Sequence, residues 1–298
     1  MSVVPRMLCA CLVSAMRRRI FGAAPWIIVA TLSGCKDQAK ESATRALDDV
    51  AFLNDLVDKD IGEIERGLPE GARRLGTLVA SGADPAKDVA AVRRALLRVR
   101  RDVMDLAIAK STFFALAGVD GTAIRNDLEE DVMAGQNLFA IFPALAQAKD
   151  GYVATRGAFP NGSGKSGPDE DWVAATPVRR ADGSAGAFFV TGWTYRYFAR
   201  HLQESLKDRL VEEARRSARD WKMPVFYVAM FDRSGVYSAP LTPQVDEAAL
   251  AGQDLAVKSA TGSSQGTMTI TDRQFGWAAM RTPRWAPETG IVVLRSEL

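Results

Sequence analysis

Phe113-Phe114-Ala115-Leu116-Ala117-Gly118-Val119-Asp120-Gly121-Thr122-Ala123-Ile124 reads as a strand, a turn marked by Asp-Gly, and a second strand. Val225-Phe226-Tyr227-Val228-Ala229-Met230-Phe231-Asp232-Arg233-Ser234-Gly235-Val236-Tyr237 follows the same order later in the chain. The echo continues downstream of both. Ala134-Gly135-Gln136-Asn137-Leu138 is matched by Ala251-Gly252-Gln253-Asp254-Leu255. Trp172-Val173-Ala174-Ala175-Thr176-Pro177 is matched by Trp277-Ala278-Ala279-Met280-Arg281-Thr282-Pro283, and Ala187-Phe188-Phe189-Val190 by Ile291-Val292-Val293-Leu294. Matched features in one order are the mark of an internal repeat. The chain therefore carries two copies of an α+β unit, over 111–192 and 223–298, and 193–222 reads as an amphipathic helix joining them.

Residues 35–110 have a different period. Leu47, Val50, Asn54, Val57, Ile61, Ile64 and Leu68 are spaced alternately by three and four, a heptad seam with one polar member suited to fixing register. Val89, Val92, Leu96, Val99, Val103 and Leu106 form a second seam, opened by Asp84-Pro85 as cap and first-turn proline. Gly67-Leu68-Pro69 and Ser81-Gly82-Ala83 read as breakers around a short intervening helix. The expectation is an antiparallel helical pair whose stripes bury each other, with homodimerisation through one stripe as the competing use.

Ahead of these helices, Arg17-Arg18-Arg19 precede an apolar run from Ile20 to Leu32 that contains Pro25. A membrane-spanning helix needs about 20 residues, so this shorter run predicts a signal peptide over 1–34, with Met16 as an internal start. Leu32-Ser33-Gly34-Cys35 resembles the lipobox of bacterial lipoproteins, which implies cleavage before Cys35 and acylation of it, a palmitate-type anchor included. Cys9 and Cys11 leave with the signal, so an acylated Cys35 leaves the mature chain no free thiol. The expected location is a bacterial membrane facing the periplasm, with Lys36 after the cysteine favouring the outer membrane. No later run is long enough to span, so signalling would need a separate partner.

The 298 residues are 47% hydrophobic and 25% charged, which excludes disorder as the main state. Formal net charge is +2, and removal of the four arginines in residues 1–34 leaves 34 basic against 36 acidic groups. A basic footprint for nucleic acid is missing.

Long leading helices, an antiparallel sheet, a linking helix and a second such sheet resemble the extracytoplasmic double Cache sensor domains of bacterial receptors. The likeness rests on the Asp120-Gly121 turn, the Pro177-Val178 strand with Asp182-Gly183 and Gly186 after it, and the repeat itself. It implies an α+β fold in which an N-terminal helical pair is followed by two PAS-like antiparallel-sheet units joined by a helix. It further implies a non-enzymatic, small-molecule-binding sensor. The amino-acid-binding branch of that family carries a tyrosine and then arginine, tryptophan and tyrosine in close order; here Tyr152, Arg156 and Trp172 stand at a different spacing.

Motifs for chemistry are incomplete. Gly262-Ser263-Ser264-Gln265-Gly266 fits a nucleophile elbow, but the one histidine, His201, precedes the serine and sits in a predicted helix. Asn161-Gly162-Ser163-Gly164-Lys165-Ser166-Gly167 lacks the first glycine of a phosphate loop, where Phe159 stands. His201 with Glu204 is too few ligands for zinc, and Asp127, Glu129, Glu130 and Asp131 lack the oxygen pattern of a calcium loop. The sequence points to no catalytic residues, metal or cofactor.

A ligand is expected in the first unit. Between the Gly-Gln element and the matched tryptophan it has 33 residues (139–171) against 21 (256–276) in the second, and the longer segment holds Phe139, Phe142, Tyr152, Arg156 and Phe159. Apolar walls with a few placed polar groups make small-molecule sites. Tyr152, Trp172 and Phe142 are the expected walls, and Arg156 the fork for an anionic group. The leading function is thus a lipid-anchored periplasmic sensor module reporting to an envelope protein partner. The alternatives are a ligand-free structural lipoprotein of the envelope and, more weakly, a hydrolase acting through Ser264.

Overall fold

A computed structural model describes residues 29–80, 83–108, 113–160, 169–217 and 222–297, with side chains from residue 38 onward. Residues 1–28 of the expected signal peptide (1–34), the Cys35 side chain and the glycine-rich loop 161–168 lie outside them.

The helical region opens with α1 (Val29–Leu75), a single helix of 47 residues and thus about 70 Å long. The break expected at Gly67-Leu68-Pro69 does not occur. Pro69 sits within α1 on its solvent side, where the carbonyl that loses its partner is accessible to water. Gly71 is there for contact: a Cβ on it would lie 2.6 Å from Phe189 and 2.8 Å from Val99. Asp84 and Pro85 open only a short 3-10 turn, and Asp88 caps α2 (Val89–Asp102) by accepting the Ala91 N–H. A short α3 (Met104–Ile108) follows.

The first unit contains β1 (Phe113–Ala117), β2 (Ala123–Asn126), α4 (Leu138–Ile141), β3 (Val153–Gly157), β4 (Asp171–Arg179) and β5 (Ala185–Thr194). The linking helix α5 (Tyr195–Arg216) is capped by Thr194. The second unit contains β6 (Val225–Phe231), β7 (Val236–Ser238), α6 (Gln244–Ala251), α7 (Leu255–Lys258), β8 (Ser263–Ile270), β9 (Arg273–Arg281) and β10 (Gly290–Ser296). The sheets run β2-β1-β5-β4-β3 and β7-β6-β10-β9-β8, antiparallel throughout, so strands in equivalent places of the two sheets occur in the same chain order. The repeat is structural, and the α+β class with leading helices and two joined sheet units is what the molecule shows.

One detail of the repeat changes. Trp172 and Trp277, matched in sequence, face opposite ways: Trp172 joins the core with Ala174 and Val178, whereas Trp277 packs with Ala279 on the other face of its sheet. A one-residue offset between similar strands exchanges their faces, because side chains alternate.

The inner faces of both sheets share one core with the helices. Phe114, Leu116, Trp172, Phe189 and Trp193 of the first unit and Val228, Met230, Ile291 and Val293 of the second belong to it. α1 crosses the second sheet before the first: a Cβ on Gly276 of β9 would collide with the Ala43 backbone, Asp49 meets Arg295 of β10 at 2.6 Å, and Gly71 lies on β5. The stripe it buries is Ala39, Ala43, Ala46, Val50, Leu53, Val57, Ile61, Ile64, Leu68, Ala72 and Leu75. Ala46 and Leu53 therefore replace the expected Leu47 and Asn54. A straight helix drifts against a strict seven-residue seam, so the buried stripe moves by one position. The α2 stripe from Val92 to Leu106 is buried, but only against the C-terminal part of α1 and the neighbouring β1 and β2, so the two seams meet over part of their length; Val89 is exposed.

Candidate functional site

The outer face of the first sheet is built by alternation. Phe113, Ala115 and Ala117 of β1, Val173 and Ala175 of β4, and Phe188 and Val190 of β5 form an apolar floor whose small members leave room for a cover. The segment 127–160 supplies it. Asn137 caps α4 by accepting the Ala140 N–H, which sets Leu138 and Phe139 over the sheet. Phe139 meets Phe188 edge-on at 5.1 Å, and Phe142 meets Phe159 at 5.0 Å. Phe159 in turn approaches Phe113 at 6.4 Å. Glycine makes two of these contacts feasible: Gly121, at φ +83°, has Phe139 where a Cβ would stand, and a Cβ on Gly157 would lie 3.0 Å from Phe142.

Asp171, the first residue of β4, alternates onto this same outer face and closes one end of it. It is 3% exposed, and its Oδ2 accepts the Phe159 N–H at 3.3 Å. Burial raises its pKa to about 7; the Phe159 bond pulls the other way, and Asp169 and Glu170 add to the rise. A buried carboxyl with one neutral donor, at the end of an apolar face, is a group with unused accepting capacity.

Of the site residues read from the sequence, only Phe142 lies on this face. Tyr152, Arg156 and Trp172 point to the inner side. Trp172 packs between Trp193 (4.9 Å) and Trp285 (5.4 Å), the latter on the β9–β10 connection of the second unit. Tyr152 packs against the shared core with its hydroxyl unpartnered, and burial lifts its pKa above the usual phenol value. Arg156 donates from Nη1 to Oδ2 of Asp232 at 2.5 Å, while Asp232 Oδ1 accepts the Ser234 and Gly235 N–H groups. Arg156 Nη1 is thus already engaged by a carboxylate of the second unit, although the side chain stays a third exposed. Sequence reasoning missed Asp171, Phe113 and Phe188; the signal was the alternation about Val173, which puts Asp171 on Phe142's side of the sheet.

The chemical decoys resolve locally. His201 Nε2 lies 2.8 Å from Asp60 of α1, and Glu204 takes Arg200. Ser264 is within β8. Asp127 holds Arg100 and the Phe114 N–H, and Asp131 pairs with Arg125 at 3.1 Å and accepts the Asn126, Met133 and Ala134 N–H groups. These carboxylates fasten the β1–β2 hairpin and its exit.

No protein-family model and no curated protein matches the chain. Solved structures do match. A domain of a sensory box/GGDEF family protein from Vibrio parahaemolyticus aligns over 87% of this chain and 97% of its own, at 9% identity and a TM-score of 0.51. The ligand-binding domain of Campylobacter jejuni chemoreceptor Tlp3, in complex with 4-methylisoleucine, aligns over 87% and 92%, at 9% identity and a TM-score of 0.50. The extracellular ligand binding receptor from Desulfohalobium retbaense aligns over 84% of this chain but 39% of its own, at 12% identity and a TM-score of 0.46. At such identities the likeness speaks for the fold alone, a tandem PAS-like, Cache-type α+β arrangement. No helix among the described residues is long and apolar enough to cross a membrane.

Proposed function

We propose that the chain is a lipid-anchored periplasmic sensor module that binds a small molecule on the outer face of its first sheet and reports to a separate envelope protein. The observation that carries this reading is the 127–160 cover, which lays Phe139, Phe142 and Phe159 over the sheet and leaves Asp171 buried at its rim. The structurally similar Tlp3 domain was solved with 4-methylisoleucine, and the side chains here suit a ligand of that chemistry: an apolar body against the phenylalanines, and an amine or hydroxyl donating to Asp171. Lipid anchoring rests on the Leu32-Ser33-Gly34-Cys35 stretch.

A thermal-shift screen with free amino acids and aliphatic amines tests the site. A ligand at a hundred times its Kd stabilises the folded chain by about 2.7 kcal/mol. Asp171→Asn should remove that shift and Trp277→Phe in the second unit should keep it; the opposite pattern moves the site to the second unit. Intact-mass measurement tests the anchor separately, since a mature N-terminus elsewhere than an acylated Cys35 rejects it.

A further inference from the structure

The outer side of α2 and the loop after β2 carry an unusual concentration of exposed apolar groups. Met104 is 75% exposed and Val132 74%, and Val89, Leu97 and Leu128 are exposed as well. Val89, Arg93, Leu97 and Arg100 follow one another at helical spacing along α2, Met104 opens α3 after the break at Val103, and Arg93 and Arg100 both reach Asp127, Arg93 at its carbonyl oxygen, beside Leu128. A groove of about 420 Å³ lined by Val89, Ala90, Ile124, Arg125 and Ala134 continues the surface to Val132.

Charge divides the patch into two halves. α2 offers Arg94 and Arg98, both exposed, and the loop offers Glu129 and Glu130, also exposed; none of the four has an ion-pair partner among the described residues. Arg93 and Arg100 are held to Asp127, and Arg125 donates to the Leu128 and Glu129 carbonyls, so the loop is fixed relative to the helix. A rigid patch with a cationic half, an anionic half and apolar residues between is complementary to itself after a twofold rotation.

We propose that this face is a twofold interface between two copies of the chain, in which Arg94 and Arg98 of one copy meet Glu129 and Glu130 of the other around the apolar groups. This differs from pairing through a heptad seam, because the second seam beyond Val89 is buried within the protomer. The loop 128–134 belongs to the 127–160 cover, but its patch residues are the exposed ones and none is among the buried residues of the phenylalanine-lined face.

The pairing is tested by charge reversal in trans. The full chain in mild detergent should sediment as a concentration-dependent dimer across roughly 1 to 100 μM. Arg94→Glu with Arg98→Glu places like charges against each other at both contacts, and so does Glu129→Arg with Glu130→Arg. Each double variant alone should weaken dimerisation by about a hundredfold or more. An equimolar mixture of the two should restore it, as a heterodimer, because both contacts then become attractive. Melting temperatures near wild type show that the variants fold, as expected for exposed positions. A wild-type chain that stays monomeric overturns the proposal, as does a dimer indifferent to both reversals, or a mixture that stays monomeric.

Discussion

Asp171 is held in a state that its free side chain would not choose. Its pKa of about 7 lies well above the 3.8 of an exposed carboxyl, and burial is the first cause. Protons are therefore bound more tightly by the folded chain than by the unfolded one. The group's contribution to stability is complete below about pH 4, falls as pH rises between about 4 and 7, and is flat above, with an upper limit of roughly 4 kcal/mol. Asp171→Asn should flatten the stability profile between pH 5 and 8, raising stability most at pH 8; urea titrations at both pH values check this. An unchanged slope would mean that another group carries it. A bound amine would lower the same pKa, so amine affinity should improve toward pH 8. None of this was legible before β4 had a start: parity decides which face a residue joins, and the sequence offers Trp172, a far larger side chain, one position away. The Arg156 ion pair was likewise illegible, because its partner, Asp232, lies in the other unit, 76 residues on, and no local spacing signals such a pair.

At the scale of elements, periodicity located the strands and helices well, and failed where a choice of one position mattered. The repeat survived because its strands occupy equivalent places in the two sheets, yet its tryptophans fell on opposite faces. In α1, Leu53 is fully buried and Asn54 is not, although the amide Oδ1 of Asn54 is shut from solvent without a partner. The heptad template assigned the polar side chain to the seam because it ignored what the helix lies on. Leu53→Ala should cost about 2 to 5 kcal/mol, the range for emptying a packed leucine site. Asn54→Leu should stabilise by about 1 kcal/mol, since it removes an unsatisfied acceptor rather than a register-setting contact. Chemical denaturation of the two variants distinguishes the readings: a loss of stability in Asn54→Leu would return that residue to a structural seam. The Gly276 approach to Ala43 belongs to the same reasoning, since any side chain there would lift α1 from β9.

The two units form one molecule through their inner faces, and the means are both apolar and ionic. Trp285 of the second unit stacks among Trp172, Trp193 and Phe198 of the first unit and linking helix. Tyr195 at the head of α5 reaches Thr289 on the same connection. Arg156 and Asp232 close the edge, with the arginine a third exposed and the aspartate fully buried. That asymmetry fixes what substitution should do. Arg156→Met leaves a buried carboxylate with only two backbone donors, which should cost about 2 to 5 kcal/mol. Asp232→Asn keeps an oxygen for the Ser234 and Gly235 N–H groups and strands only a guanidinium that can turn to water, so it should cost less. The double variant should recover most of the loss of Arg156→Met, because no buried charge remains. Because β3 carries Gly157 against Phe142 on one side and Arg156 against Asp232 on the other, the same edge strand faces both the proposed ligand and the second unit. Calorimetry reads this out: wild type should unfold in one transition, whereas Arg156→Met should separate the units into two. One transition at a lowered temperature would show that the aromatic contact alone couples them, and would remove β3 as the link between the ligand face and the second unit.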